Sequence, residues 1–259
     1  MRRLAAAVFL FGSIGAGPSW AKTTFYDWVP TAWDLATGLD YSTGKYGAAS
    51  DTSILSIPFG ARVQMDRVRL ELSVPYLDVH GPGNFASGVV VGNNNTITTR
   101  TGIGDVTAGA AWTLHQDSES LPGIELAGTV KLPTADSTLG TGKFDYSIAA
   151  NLNHNISPRV MLFGSVGYQW LSDYRNINLE NGITAVGGAN CRASDSTNIG
   201  FSANYRQTYY RPLDDQFSLT PYVLWTFAQH WRLSGYGLVG FTNSSPDVGG
   251  GLRLIFFQQ

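Results

Sequence analysis

An all-β, antiparallel up-and-down transmembrane β-barrel of about twelve strands is the fold this sequence predicts, and three observations predict it. Segments of about ten residues alternate with period two, and one of their faces carries no Asp, Glu, Lys or Arg. Charged residues make up 14% of the chain, against roughly 25% in ordinary soluble domains. Aromatic residues gather at segment ends, and connections alternate between short and long, as in outer-membrane barrels. A soluble β-sandwich would also keep charge off one face, so the other two observations separate the two folds.

The chain opens MRRLAAAVFLFGSIGAGPSWAK, with Arg2 and Arg3, an apolar stretch, and Ser19-Trp20-Ala21 before Lys22. This pattern predicts a secretory signal peptide over 1–21, too short in its apolar part to span a bilayer, and a single barrel domain over 22–259. Removing Arg2 and Arg3 from 17 basic residues leaves 15 against 19 acidic, a net charge of −4. An acidic chain argues against nucleic acid as a partner. Cys191 is the single cysteine, so no intrachain disulfide framework exists.

Alternation marks twelve strands, at 33–43, 53–63, 67–77, 104–115, 123–132, 144–155, 159–171, 182–192, 197–207, 216–227, 231–242 and 248–257. Their lengths suit tilted strands that cross hydrocarbon. The segment at 182–192, NGITAVGGANCR with its neighbours, is retained because an even number keeps both chain ends on one side. Pro58, Pro75 and Pro221 fall inside strands and each removes a ladder donor. Short turns at 64–66, 116–122, 156–158, 193–196 and 228–230 mark the periplasmic end; 78–103 is the longest loop, at the outer end.

The greasy stripe includes Leu55, Ile57 and Phe59; Val68, Leu70 and Leu72; Ile124, Leu126 and Val130; and Leu252, Leu254 and Phe256. A charge at the bilayer midplane would cost roughly 2–4 kcal/mol there, which explains the exclusion. Tyr41, Tyr76, Trp112, Trp170, Tyr205, Trp225, Phe227 and Trp231 are the expected aromatic girdle, because amphipathic rings prefer headgroup level. The opposite stripe is small and polar, with Thr107, Gly109 and Ala111, Ser147 and Asn151, Gly200, Ser202 and Asn204, and Gly249 and Gly251, as a concave lumen requires.

Catalytic signatures fail on inspection. TGIGDVTAG lacks the third glycine of a dinucleotide loop, GTGKF lacks the Ser or Thr after Lys143, and no G-x-S-x-G elbow occurs. His80, His115, His154 and His230 have no partner at zinc-ligand spacing, so no metal, cofactor or catalytic residue is expected. His154, between Leu152 and Ile156, lacks the nearby serine of a membrane phospholipase, and Asp214-Asp215 reads as a solvated turn. Charge does concentrate on the inward stripe. Arg62, Arg67, Arg69, Arg159, Arg192, Arg232 and Arg253, with Glu71, Glu125 and Asp34, belong to the periplasmic half; Lys131, Arg206, Asp105 and Asp145 belong to the outer mouth. Two readings stand: a salt-bridged network that stiffens the lumen, or an arginine-rich constriction that favours anions.

The motifs TRTGIGDVTAGAAW, VKLPTAD, GTGKFDYSIAANL, LFGSVGYQW, GFSANYRQ and GYGLVGFTNSSPDVGGGLRL occur in that order from about residue 100. Together they resemble the outer-membrane family of meta-pathway phenol-degradation proteins, and the chain departs from that pattern in ending Gln258-Gln259 beyond its last aromatic. The resemblance implies a Gram-negative outer-membrane barrel concerned with small, aromatic or hydrophobic compounds. Twelve strands lie between the filled eight and the open sixteen, so a narrow pore or ligand-sized cavity is expected. The expected function is passive transport of small molecules without catalysis; the alternative is a structural or adhesive barrel with a closed lumen and a partner-binding loop. Expected partners are membrane lipid, lipopolysaccharide, a small solute and the outer-membrane assembly machinery.

Overall fold

A computed structural model describes residues 32–82, 96–173, 177–211 and 213–258, and the backbone of Phe9–Leu10, Thr23–Thr24, Asn84–Ala86 and Val89–Val91. The signal-peptide expectation for 1–21 lies outside the described residues, apart from Phe9–Leu10, which pairs with Thr23–Thr24. The wall runs β1 (Trp33–Gly44), β2 (Thr52–Met65), β3 (Val68–Gly81), β4 (Thr98–Ile103), β5 (Val106–His115), β6 (Gly123–Leu132), β7 (Asp145–Asn155), β8 (Val160–Trp170), β9 (Gly182–Arg192), β10 (Thr197–Arg206), β11 (Gln216–Ala228), β12 (Trp231–Gly240) and β13 (Val248–Gln258).

Every neighbouring pair is antiparallel, and β13 closes onto β1 from Val248 opposite Thr43 to Gln258 opposite Trp33. β4 and β5 occupy one place in the wall: β4 pairs with Tyr76–Gly81 of β3 and β5 with Val68–Ser73. The ring therefore has twelve places and no free edge, which is what hydrocarbon demands of a sheet. The break between β4 and β5 falls at Gly104-Asp105, where the Gly104 amide donates to the Pro75 carbonyl. Pro58 lies directly opposite Pro75 across β2–β3. Two missing ladder donors are thus concentrated at one point of the wall, and the strands continue on either side.

Side-chain exposure fixes which stripe faces out. Leu35, Leu39, Phe59, Leu72, Leu126, Ile148, Leu152, Val166, Leu252 and other large apolar residues stand exposed on the outer surface, Val166 at 61%. The polar stripe is buried inside, with Asp34, Arg62, Arg69, Glu125, Lys131, Asn151 and Arg253 each less than a tenth exposed. A soluble sandwich would invert these two sets, so the oily stripe meets lipid.

Short connections at 66–67, 116–122, 156–159, 193–196 and 229–230 share one end with both ends of the closed wall, and longer ones share the other. Asp66 carries φ 51° in the tightest of these turns. The expected outer loop of 78–103 is shorter than the sequence indicates, because β3 continues to Gly81 and the chain returns to the sheet at Thr98. Within it Asn84–Ala86 pairs with Val89–Val91. Above Tyr76 the outward residues of β3 are Asp78 and His80, and His80 Nδ1 lies 2.8 Å from Thr99 Oγ1. Polar outward residues at that height show that this part of the wall stands clear of hydrocarbon, which is why alternation did not reveal it.

Candidate functional site: a two-sided lumen

The interior of the barrel is polar around its whole wall, with apolar clusters set into the β8–β13 side. On the β1–β7 side, period two turns Asp34 and Asp40 of β1, Arg62 of β2, Arg69 and Glu71 of β3, and Glu125 of β6 inward. Arg62 Nε donates to Asp34 Oδ2 at 2.6 Å. Arg69 Nη2 donates to Glu125 Oε1 at 2.8 Å, and its Nε lies 3.0 Å from Glu71 Oε1. Asn151 Nδ2 donates to the same Glu125 oxygen at 3.0 Å, and Ser165 Oγ donates to Asn151 Oδ1 at 2.7 Å, which extends the network onto β8. Arg253 Nη2 donates to Asp40 Oδ2 at 3.1 Å, and the Tyr236 hydroxyl donates to Asp40 Oδ1 at 2.6 Å.

The β8–β13 side is different. Met161 and Phe163 of β8, Tyr222 of β11, Leu224 of β11, and Ile255 and Phe257 of β13 all point inward and are buried. Met161, Phe163 and Tyr222 pack together, with Val186 and Tyr236 against them. Gly188 and Gly200 make this possible: a Cβ at Gly188 would stand 2.4 Å from the Phe163 ring, and one at Gly200 would stand 2.4 Å from the Tyr222 hydroxyl. Arg232 lies over the Phe257 ring at 4.4 Å, where cation and aromatic face attract. This apolar strip was missed in the sequence because Met161 and Phe163 occupy polar slots of the alternation. The run Val160-Met161-Leu162-Phe163, apolar on both faces, is the signal that could have found it.

A third cluster guards the outer mouth. Lys131 Nζ lies 2.7 Å from Asp145 Oδ2 and 3.2 Å from Asp105 Oδ2. It also donates to Thr141 Oγ1 at 2.7 Å. Asp105 Oδ1 accepts the Ala135 amide and Asp145 Oδ1 the Ser172 amide, so this buried triad ties two outer loops to the wall. Leu139, from the first of those loops, packs on Tyr46, Ile54, Leu77 and Val79. Leu179 and Tyr209 pack with Leu171, Ile177, Tyr210 and Leu213 in the neighbouring loops. Arg206 lies 4.5 Å from the Tyr209 ring. Burial pushes the Tyr209 hydroxyl up to about 12, with the Arg206 charge opposing it.

Three of the arginines expected in the lumen stand at its rim. Arg67 and Arg159 precede the first residues of β3 and β8, and Arg192 ends β9; all three are exposed at the short-turn rim. Arg192 keeps the inward register, opposite Asn198, and its place at the rim leaves it exposed. Arg62, Arg69, Glu71, Glu125, Lys131, Arg206, Arg232 and Arg253 are brought inside. Asp34, Asp40, Asp105 and Asp145 stand inside with them, and Arg100 of β4 faces inward too, opposite buried Val79. Arg62, Arg69, Lys131 and Arg253 are each held against one or two carboxylates. An unopposed arginine ring is not what these residues form.

Tyr41, Tyr76, Trp112, Trp170, Tyr205, Trp225, Phe227 and Trp231 are all exposed on the outer surface. His154 Nδ1 lies 2.8 Å from Asp117 Oδ1, and Asn155 Nδ2 donates to Asp117 Oδ2 at 2.6 Å. That pairing braces a short turn. Among the described residues no group of three or more His, Cys, Asp or Glu could hold a metal ion. A groove of about 630 Å³ opens between Leu35, Phe59, Leu72, Leu254 and Phe256, on the lipid-facing wall and apart from the clusters inside.

A family model described as "Putative MetA-pathway of phenol degradation" matches residues 60–257. No curated protein matches by sequence. Among solved structures, the COG4313 outer membrane channel from Pseudomonas putida F1 is similar at TM-score 0.70 and 14% identity, covering 90% of this chain and 98% of that one. The CymD monoaromatic hydrocarbon channel is similar at TM-score 0.53 and 11% identity, covering 89% and 90%. The KdgM porin is similar at TM-score 0.55 and 10% identity, covering 87% and 99%.

Proposed function

We propose, from the premise that the chain belongs to the family whose model spans residues 60–257, that it is a non-enzymatic outer-membrane channel for small, largely apolar solutes, aromatic ones among them. The observation that carries this is the apolar strip inside the barrel, Met161, Phe163, Tyr222, Leu224, Ile255 and Phe257. The interior of an outer-membrane barrel is ordinarily polar, so apolar side chains gathered there suit an apolar solute better than a sugar or an ion. Structural neighbours that include a monoaromatic hydrocarbon channel support the same solute class.

The paired wall, with Arg62, Arg69, Glu71, Glu125, Arg232 and Arg253, and the outer triad around Lys131, with Arg206 nearby, border the pathway. They hold the lumen in one shape, and the apolar residues set among them meet solute. Exposed Arg67, Arg159 and Arg192 lie at the periplasmic exit. The aromatic girdle anchors the barrel at the two headgroup layers, with lipopolysaccharide around its outer rim, and the assembly machinery inserts it there.

Uptake by cells whose outer membrane lacks other channels tests this. Expression should accelerate entry of neutral monoaromatic compounds and leave disaccharide entry unchanged. No acceleration for any aromatic, together with a silent planar bilayer, would instead favour a structural barrel with a closed lumen, a possibility to which the apolar packing of the outer loops around Leu139 and Tyr209 lends itself.

A further inference from the structure

The outer face of β12, β13, β1, β2 and β3 carries two neighbouring rows of side chains, aligned straight across the register. The row nearer the short turns runs Trp231, Phe256, Leu35, Ala61 and Leu72. The next row runs Leu233, Leu254, Thr37, Phe59 and Val74. Each row has one small side chain inside it, Ala61 in the first and Thr37 in the second, and these two are diagonal neighbours. Between them Ala36 pairs with Gly60; Ala36 packs inward against Leu224 and Ile255, and Gly60 has no side chain, so backbone lies at the floor. The groove of about 630 Å³ on the lipid-facing wall is the result. Phe59 and Leu72 wall it on one side, and Leu254, Phe256 and Trp231 on the other; Thr37 and Trp231 carry its only side-chain polar atoms.

A slot of this size falls within the range of about 300–1,000 Å³ that holds a bound molecule, yet it opens to hydrocarbon and not to water. Its height fixes what reaches it. Trp231 begins β12 at the short-turn end, and with Trp33 it flanks the Phe256 ring, at 5.1 and 5.5 Å between centroids. Indoles at that height mark the headgroup layer. The slot therefore starts at the periplasmic headgroups and runs toward the bilayer middle as far as Phe59 and Val74, beside the opposed Pro58 and Pro75. Acyl chains of the periplasmic leaflet occupy that depth. On the convex remainder of the wall a chain touches protein on one side only, whereas here a floor and two walls surround it, and every added close contact contributes dispersion attraction. Lipid tails are as apolar as leucine, so packing in the slot, and not escape from water, is what retains the chain.

We propose that this slot seats one acyl chain of a phospholipid from the periplasmic leaflet, a resident lipid whose headgroup lies at Trp33 and Trp231. The ladder between β1 and β2 skips from Thr37–Phe59 to Asp40–Ser56 beside Pro58, so the seated chain covers a stretch of wall that is short of cross-strand pairs. The seat depends on the lipid-facing stripe alone and stands whether or not the barrel conducts.

The test uses the full chain, folded as judged by heat-dependent gel mobility and placed in vesicles containing phosphatidylethanolamine with a photoreactive diazirine in one acyl chain. After irradiation and digestion, cross-links should fall at least tenfold more often on 35–37, 59–61 and 254–256 than on 148–152 of β7, whose outward residues Ile148, Ala150 and Leu152 are also exposed. Native mass spectrometry after detergent extraction should show one phosphatidylethanolamine kept per barrel. Ala61→Trp fills the slot and should lose that lipid at least tenfold more readily than Ala150→Trp, the same change elsewhere on the lipid face. Cross-links spread evenly around the outer stripe overturn the seat, as does retention of no lipid or retention untouched by Ala61→Trp. Oleic acid kept in preference to phospholipid, or a doubled mass showing a second copy of the chain on this face, overturns it too. The cross-link map is read on the unmodified protein and needs no variant to fold.

Discussion

Replacing Lys131 by Met tests the outer mouth most severely. The ammonium and its two carboxylate partners are each at most 1% exposed, and its contacts with Asp145 and Asp105 are 2.7 and 3.2 Å long. Removing one member of a buried pair typically costs about 3–5 kcal/mol, because the remaining charge stays desolvated and uncompensated. Here two carboxylates remain, facing each other. With a urea dependence of roughly 2–3 kcal/mol/M, the unfolding midpoint in lipid vesicles should fall by roughly 1–2 M. The Asp105 and Asp145 carboxylates also hold the Ala135 and Ser172 amides, so protease should cut the loops at 133–144 and 171–181 sooner. Adding Asp105→Asn and Asp145→Asn to Lys131→Met should restore most of the loss, since no uncompensated charge is left. A single variant within about 1 kcal/mol of the parent would refute the premise that this triad matters. A triple variant as unstable as the single would show that side-chain packing, and not charge, sets the cost.

Val166→Arg, at mid-height on the lipid face of β8, should destabilise the barrel by about 2–4 kcal/mol in vesicles; a cost near zero would place that face outside hydrocarbon. Planar-bilayer reversal potentials should show little preference between anions and cations, and Arg69→Ala should shift them toward cations, because Glu71 and Glu125 would lose the cation between them; a persistent anion preference contradicts the paired network. Tyr209 has a folded value raised to about 12, above the ordinary 10, so its contribution is complete below pH 10 and is lost as pH rises through 12. Ultraviolet titration should show late-ionising tyrosines, buried Tyr46 among them, whose number falls by one in Tyr209→Phe, and the outer loops should loosen over the same interval.

Period two in the sequence was enough to place most strands and to separate Phe144, Tyr146 and Ile148 from Asp145, Ser147 and Asn151. Lipid and lumen impose opposite demands on alternate residues, and that pressure writes a clear pattern. β4 left no pattern: Thr98–Ile103 rises above the hydrocarbon, where neither face has to be greasy. Arg67, Arg159 and Arg192 stand exposed because they lie at the rim, beside the short turns. The apolar strip was hidden for another reason. Phe163 and Tyr222 meet because Gly188 and Gly200 leave room on strands between them, a relation among four strands that no single alternating segment records.

Charge pairing inside the barrel selects what passes through it. Arginines held against carboxylates offer little free charge to draw in a charged solute, while the apolar residues inside reward surface that sheds water. An aromatic carboxylate must give up its hydration beside a wall whose arginines already have partners: Arg62 holds Asp34, Arg69 holds Glu71 and Glu125, and Arg253 holds Asp40. A neutral ring of the same size loses little on entry. Benzyl alcohol should therefore enter expressing cells faster than benzoate at pH 7, by tenfold or more if one arginine pair must open, since breaking it costs at least about 1.4 kcal/mol. Glu125→Gln frees part of the Arg69 charge and should narrow the gap. Benzoate entering as fast as benzyl alcohol through the unmodified barrel would mean that the paired wall opens readily, and that the apolar strip does not select what crosses.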